Sequence, residues 1–355
     1  MSEIYITKYK KEHKPDLIKF LAYFYKTLNY ETRKKLFVWR YESNPYINSP
    51  FIYLAFDGKK IIGFRAFVIQ KFILKDKKFL LGTPADAVVH PQYRRKGLFS
   101  KLTEYAIDDM DKNSNIRFLV SLSANSASEA GNIKLGFVPI GKRKYVYKIS
   151  LSNTLKSIYR NNRFQKRDIS IGKNIKIEIS KELRSDDISK LMNNFLNKNK
   201  IRNLKDDKFY NWVFGSSSND YIYVYYIKND VLLGYICLEK KSRLLYSLVE
   251  YGYTQQHIIK QLIEVISKEI SIPFLRLYIF TKDNKEKSLF FDCGFRGEND
   301  ILMKFLKKMN LLIIEDGAGM LIKPVSRDVN NNKFCIDGID TRSPSNWCLF
   351  SSDIH

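Results

Sequence analysis

The segment Asp86-Ala-Val-Val-His-Pro-Gln-Tyr-Arg94-Arg-Lys-Gly97-Leu-Phe-Ser100 constrains this chain more than any other. An apolar strand reaches Val89 and His90 and is stopped by Pro91, which has no N–H to give to a sheet. Gly97 then permits a tight turn, and an amphipathic helix starts at once, with Leu98, Leu102, Ala106 and Met110 on one stripe. So abrupt a start leaves the main-chain N–H groups from Arg95 through Ser100 without intrahelical partners, at the positive end of the helix. Arg94, Arg95 and Lys96 add charge around them. A pyrophosphate fits such a turn, held by backbone N–H groups and arginine forks.

Periodicity places the neighbouring elements. Glu3 to Tyr9 alternates as a strand, Pro15 to Leu28 carries Leu17, Phe20, Leu21 and Phe24 at helical spacing, and Glu31 to Tyr41 reads as a second helix. Three β-rich runs follow, Phe51 to Phe56, Ile61 to Leu74 and Lys78 to Val89, separated by Asp57-Gly58 and Lys75-Asp76 as an antiparallel meander. Beyond the amphipathic helix come a buried-looking strand at Ile116 to Leu122, a short helix around Ser126 to Leu135 stopped by Gly136, and a strand at Lys144 to Ile149.

At 355 residues the chain exceeds the ~250 to 300 at which single cores split. The excess reads as a second copy of the same plan. Phe37-Val-Trp-Arg-Tyr41, a strand and Ile61-Ile-Gly-Phe64 are echoed by Phe209-Tyr-Asn-Trp212, a strand and Leu232-Leu-Gly-Tyr235, and Leu135-Gly-Phe137 by Cys293-Gly-Phe295. Trp39 and Trp212 stand 173 positions apart, Gly63 and Gly234 171 apart. Coincidence between ordinary meanders would give the same few matches. In the second copy Glu250-Tyr-Gly-Tyr-Thr254 offers one Gly and no Arg where the phosphate loop should be.

The net charge of +24 would attract nucleic acid, anionic lipid or phosphorylated ligands. It is spread along the chain beside Asn, Ile and Tyr, as AT-rich codon bias would spread it, which argues against nucleic acid as the main partner. No run of 18 apolar residues is present, and the polar start MSEIYITKYKKEHKPD lacks the apolar core of a secretory signal, so a cytoplasmic location is expected. Cys237, Cys293, Cys335 and Cys348 form no CxxC pair and histidines number four, so neither disulfides nor a metal site is expected.

The loop resembles the signature of the GNAT superfamily of N-acetyltransferases: Arg or Gln, two residues, Gly, one residue, then Gly or Ala. Arg94, Gly97 and Phe99 stand at those positions, Phe99 being a departure in a Gly-Leu-Phe form familiar in some branches. Val-His-Pro-x-Tyr-Arg precedes it, and Asn125 stands 12 residues before Phe137, as the second coenzyme motif requires. The resemblance implies an α/β (α+β) chain of two GNAT-like domains, each a mixed, mostly antiparallel sheet flanked by helices, the second degenerate. The expected bounds are 1–150 for the coenzyme domain, 151–172 for a linker, 173–308 for the degenerate domain, and 309–355 for a C-terminal strand and tail packing at the inter-domain cleft. Acetyl-coenzyme A is the implied acyl donor. Val88, Val89 and His90 would offer main-chain hydrogen bonds to its pantetheine arm and thioester, with Arg94, Arg95, Lys96, Gly97, Leu98, Phe99, Ser100 and Asn125 holding the rest.

Acetyl transfer asks for an oxyanion donor, a base for the amine and a proton for the thiolate. The tyrosine that supplies that proton in many relatives is Asn132 here. Asp86, at the start of the coenzyme strand, is a candidate base, and so is the chain end, where His355 follows Asp353, because the enhanced intracellular survival family uses its terminal carboxylate. His90 reads as a motif histidine whose backbone matters. Trp39, Tyr41 and Asn44 resemble the acceptor wall of tandem-domain relatives. Endings with a Trp and then Ser-Asp resemble tandem GNAT proteins of bacterial surface-polysaccharide clusters, which points to an amino sugar acceptor, nucleotide-linked in that setting. Two other readings stand beside it: a peptidoglycan-bridge aminoacyl transferase, and a non-catalytic acyl-coenzyme A-binding scaffold. An oligomer is compatible with all three.

Overall fold

The computed structural model of the chain describes residues 3–26, 28–124, 126–150, 152–153, 165–215, 220–279, 284–297, 299–308, 319–326 and 333–353. Two compact units result, Met1–Gly141 with Ala318–Asn346, and Lys142–Gly317 with Trp347–Ile354. The first opens with β1 (Ile4–Lys8), α1 (Lys14–Phe24) and α2 (Tyr30–Phe37), which continues into a π-helical turn, Val38–Glu42. Asn29 starts α2 by accepting the Thr32 N–H at 2.8 Å, as an N-cap should. The meander follows as β2 (Phe51–Asp57), β3 (Lys60–Leu74) and β4 (Lys77–Val89), then α3 (Leu98–Asn113), β5 (Ile116–Ala124), α4 (Ser126–Lys134) and β6 (Val138–Lys142).

The first sheet runs β1-β2-β3-β4-β5, then Gly319–Pro324, then β6. Pairing is antiparallel from β1 to β4, parallel between β4 and β5, and antiparallel between β5 and Gly319–Pro324. Continuous burial along β2 and β3 shows a sheet covered on both faces, so these strands lose the usual alternation. Leu98, Leu102, Ala106 and Met110 of α3 pack on Tyr53, Phe67, Ile69 and Leu119, and Leu321 of the late strand joins them.

The second unit contains β7 (Lys144–Ile149), β8 (Arg167–Gly172), β9 (Ile175–Ser180), α5 (Ser185–Phe195), β10 (Ile201–Asn203) and α6 (Asp207–Phe214). It continues with β11 (Tyr221–Lys228), β12 (Val231–Lys240), β13 (Leu245–Tyr253), α7 (Gln256–Val265), β14 (Phe274–Ile279) and α8 (Asn284–Asp292). Its eight-stranded sheet runs Arg296–Gly297, β7, β14, β13, β12, β11, β9, β8. From β9 onward two helices, a three-stranded meander, a helix and a strand recur in the order of the first unit, with Trp212 in α6 and Gly234 in β12.

Two segments fall outside their expected places. Lys144–Ile149, read as the last strand of the first unit, pairs antiparallel with β14 instead. Gly319–Pro324, read as part of the tail, joins the first sheet, while Trp347–Cys348 pairs in parallel with β10. Local periodicity says that a segment is a strand and nothing about its partner. Among the described residues no helix is long and apolar enough to cross a membrane.

Candidate active site

The strand-to-helix turn is built from main-chain geometry. His90 N–H donates to the Ile62 carbonyl at 2.9 Å, and one 3-10 turn, Pro91–Tyr93, lifts the chain off the sheet. Arg95 and Gly97 then take left-handed conformations, φ 60° and 76°, and α3 begins with Lys101 N–H donating to the Gly97 carbonyl at 3.0 Å. The N–H groups of Gly97, Leu98, Phe99 and Ser100 are therefore outside the helical ladder, an anion-binding arrangement. A Cβ on Gly97 would meet nothing within 4 Å, so conformation and ligand approach, not crowding, select glycine there. Phe99, the departure from the motif, is accommodated by another glycine: a Cβ at Gly131 of α4 would lie 3.2 Å from its ring.

Around the turn, Arg94 Nε donates to the Val89 carbonyl at 3.0 Å, Lys96 Nζ lies 5.5 Å from the Tyr93 ring centroid, and the Tyr93 hydroxyl donates to Asp57. Arg94, Arg95 and Lys96 are exposed. On one side β4 is paired with β3 through Arg65↔Ala87, Phe64↔Val88 and Gly63↔Val89, after a bulge at Arg65/Phe67. On the other, its pairing with β5 ends at Gly82↔Leu119. The edge of Val88 and Val89 facing β5 thus has main-chain groups to offer an extended ligand.

Asp86 sits at the bulge. Its Oδ2 accepts from Arg40 Nη1 at 3.1 Å and from the Tyr41 hydroxyl at 2.8 Å. Burial, and then the Asp86 carboxylate, hold the Tyr41 hydroxyl well above its ordinary pKa. Burial opposes the charge on Arg40, yet Tyr41 and Asp86 outweigh it and raise that pKa. Tyr25 is pushed up to about 12 by burial and Asp86, against Arg33, Arg40 and a main-chain hydrogen bond from Ala87. Trp39 stands beside the group, its ring centroid 5.9 Å from the Arg40 guanidinium. Asn44 is turned elsewhere: its amide donates to the Ile69 carbonyl at 2.7 Å and accepts from Tyr46 N–H at 3.0 Å, shaping the chain before β2. His90 lies 5.8 Å from the rings of both Phe24 and Tyr93, and partial burial, Lys60 and Arg94 lower its pKa.

Asn125 and His355 lie outside the described residues. Asn132 is buried, its carbonyl accepting from Leu135 and Phe137 N–H at 3.0 and 3.1 Å, with Oδ1 lacking a hydrogen-bond partner. Near the other chain end, Asp353 is fully buried on Lys205 Nζ at 2.5 Å, with Ser352 Oγ and Glu250 Oε1 at 3.0 and 3.3 Å from the same nitrogen. Sequence reasoning passed over Arg40, Tyr25 and Arg65. The last had a signal, being one charge in the otherwise apolar run Ile61 to Ile69.

Residues 6–131 match the family described as acetyltransferase (GNAT) domain. No curated protein matches the chain. Among solved structures it is similar to a conserved protein of Enterococcus faecalis V583 described as a probable N-acyltransferase, at 11% identity and TM-score 0.60, over 91% of this chain and 73% of that one. It is similar also to a GCN5-related N-acetyltransferase of Anabaena variabilis, at 12% identity and TM-score 0.56, over 91% and 73%. A tandem GNAT protein from the clavulanic acid biosynthesis pathway is matched at 11% identity and TM-score 0.53, over 92% of this chain and 100% of that one. At such identities these neighbours speak for the fold. Residues 6–131 are an acetyltransferase domain of the GNAT type, and the chain is an acyltransferase.

Proposed function

We propose that the first unit transfers an acetyl group from acetyl-coenzyme A to a primary amine, with an amino sugar for surface polysaccharide, nucleotide-linked in the fullest form of the reading, as acceptor. The left-handed turn at Arg95 and Gly97, with its four N–H groups, carries the proposal. That turn suits a pyrophosphate, and the released edge of Val88 and Val89 suits an extended amide-bearing arm, so the residues fit the coenzyme. The coenzyme supplies the activated acetyl thioester. Arg94, Arg95 and Lys96 draw its phosphates to the turn, and a main-chain N–H at Val88 to His90 receives the oxyanion that forms when the amine adds to the thioester carbonyl.

An ammonium must first lose a proton. Asp86 takes it on Oδ1, because Arg40 and Tyr41 both bind Oδ2 and fix the carboxylate. The carbon–sulfur bond then breaks, and the thiolate leaves and is protonated by water; Asn132 has no proton of suitable acidity to give. Trp39 and Tyr41 line the acceptor side, and the reaction belongs in the cytoplasm, where acetyl-coenzyme A is made. Calorimetric titration with acetyl-coenzyme A should give one site per chain, and thiol release should depend on an added amine. Two coenzyme sites, or none, would overturn the reading.

A further inference from the structure

Positive charge is in excess beside Asp86. Arg33 and Arg65 are 7% and 4% exposed, and the carboxylate near them is engaged by Arg40 and Tyr41. Arg33 is partly served, its Nη2 donating to the Tyr25 carbonyl at 3.4 Å and its guanidinium lying over the Tyr25 ring. Arg65 is not. Its Nε and Nη2 are both buried without a hydrogen-bond partner, and the guanidinium rests 5.0 Å from the ring centroids of Phe67 and Phe99. Aromatic faces hold a cation in place, but they leave its N–H donors open. A buried guanidinium with open donors destabilises a fold unless something pairs with it.

The two open donors share one edge. Nε–H and Nη2–H point in parallel, the fork that receives two oxygens of a carboxylate or phosphate. The place is equally specific: Arg65 is the register partner of Ala87, next to Val88, and the Phe99 it rests on belongs to the phosphate turn. The open fork therefore lies between the strand and the turn assigned to the coenzyme, with Asp86 one residue along β4.

We propose that Arg65 sets acceptor specificity by pairing with an anionic group, phosphate or carboxylate, carried by the amine substrate. This rests on the amine-acetylating reading above. Asp86 takes the proton of the ammonium while Arg65 holds the anion, and the partly buried Phe99 ring turns aside to admit it. Burial lowers the Arg65 pKa to about 10 although Tyr41, Asp86 and Tyr25 act against it, so the guanidinium remains charged and gains from an anion.

The test uses the full chain, Arg65→Met and Arg65→Lys. Melting is followed with inorganic phosphate or acetate at constant ionic strength, and turnover with glucosamine, glucosamine 6-phosphate and muramic acid. The wild-type Tm should rise saturably with the anions. Arg65→Met should melt no lower than wild type, since an unpaired buried charge is replaced by an apolar chain of similar length, and should lose the response. Wild-type kcat/KM should favour one charged amine over glucosamine by roughly tenfold to a hundredfold, the phosphate and carboxylate arms saying which. Arg65→Lys keeps the charge without the fork and should lose most of that preference. An equal anion response in wild type and Arg65→Met, or an unchanged preference in Arg65→Lys, overturns the proposal. If wild type binds acetyl-coenzyme A but acetylates none of the three amines, the amino sugar reading fails, and the anion response still decides the role of Arg65.

Discussion

The two units solve the same stretch of chain differently. In the first, β4 parts from β5 beyond Gly82, and the seven residues from Pro91 to Gly97 separate the strand end at His90 from α3. In the second, β13 is paired with β14 only from Leu245↔Phe274 to Leu248↔Leu277 and runs on to Tyr253, but α7 starts at Gln256 with no left-handed turn between. The opening beside β13 is taken by the chain itself. Trp347 is fully buried, Phe350 stacks edge-on against Tyr251 at 5.3 Å, and what is left is a cavity of about 220 Å³ lined by Tyr251, Tyr253, Gln256, Tyr278 and Trp347. Parting two parallel strands is thus a property of the fold, whereas the turn decides whether the gap receives a coenzyme or the protein's own side chains.

The largest effect should come from the anchor of that plug. Lys205→Met leaves Glu250 and Asp353 as buried carboxylates without their cation, and a loss of about 3–5 kcal/mol in urea unfolding is expected; a variant as stable as wild type would mean the tail is held by its aromatics alone. In the first unit, Gly97→Val should weaken acetyl-coenzyme A binding by about 3 kcal/mol or more, roughly a hundredfold, because a β-branched residue disfavours φ 76° and its side chain stands where the phosphates approach. Calorimetry reads the affinity, and circular dichroism should show the fold kept. Arg94→Ala, with the turn intact, should cost about 1.5–3 kcal/mol of the same affinity, as one charged hydrogen bond. Unchanged titrations in both variants would erase the distinction between the two units.

The smallest expected effect is a pH slope. Burial raises the Glu250 pKa, opposed by Lys205 and reinforced by Asp353. The folded state then holds a proton that the unfolded state has released, so its contribution to stability falls as pH rises from the ordinary carboxylate range through the raised value. Urea midpoints across that range should show the decline, and Glu250→Gln should flatten it. A decline of the same size in Glu250→Gln would place its origin in another group.

Much of this was legible without coordinates, for one physical reason: local rules act over a few residues. Pro91 ending a strand, Gly97 opening a helix, the stripe Leu98-Leu102-Ala106-Met110 and the repeated helix–meander order follow from φ preferences, missing donors and period. The phosphate turn was therefore readable as a candidate residue by residue. What the sequence could not decide was partnership at long range. Whether Lys144–Ile149 pairs within the first sheet or with β14, and whether Gly319–Pro324 stays in a tail or lies along β5, depends on which hydrogen-bonding edges are open, and period 2 is the same for every strand. The same limit hid the site's charges. That Asp86 would meet Arg40 and Tyr41, that Asn44 would close on the Ile69 carbonyl, and that Arg65 would be buried with an open fork are consequences of packing. A side chain's chemistry is written in the sequence, but the groups that satisfy it, or leave it unsatisfied, are set only when distant segments are brought into contact.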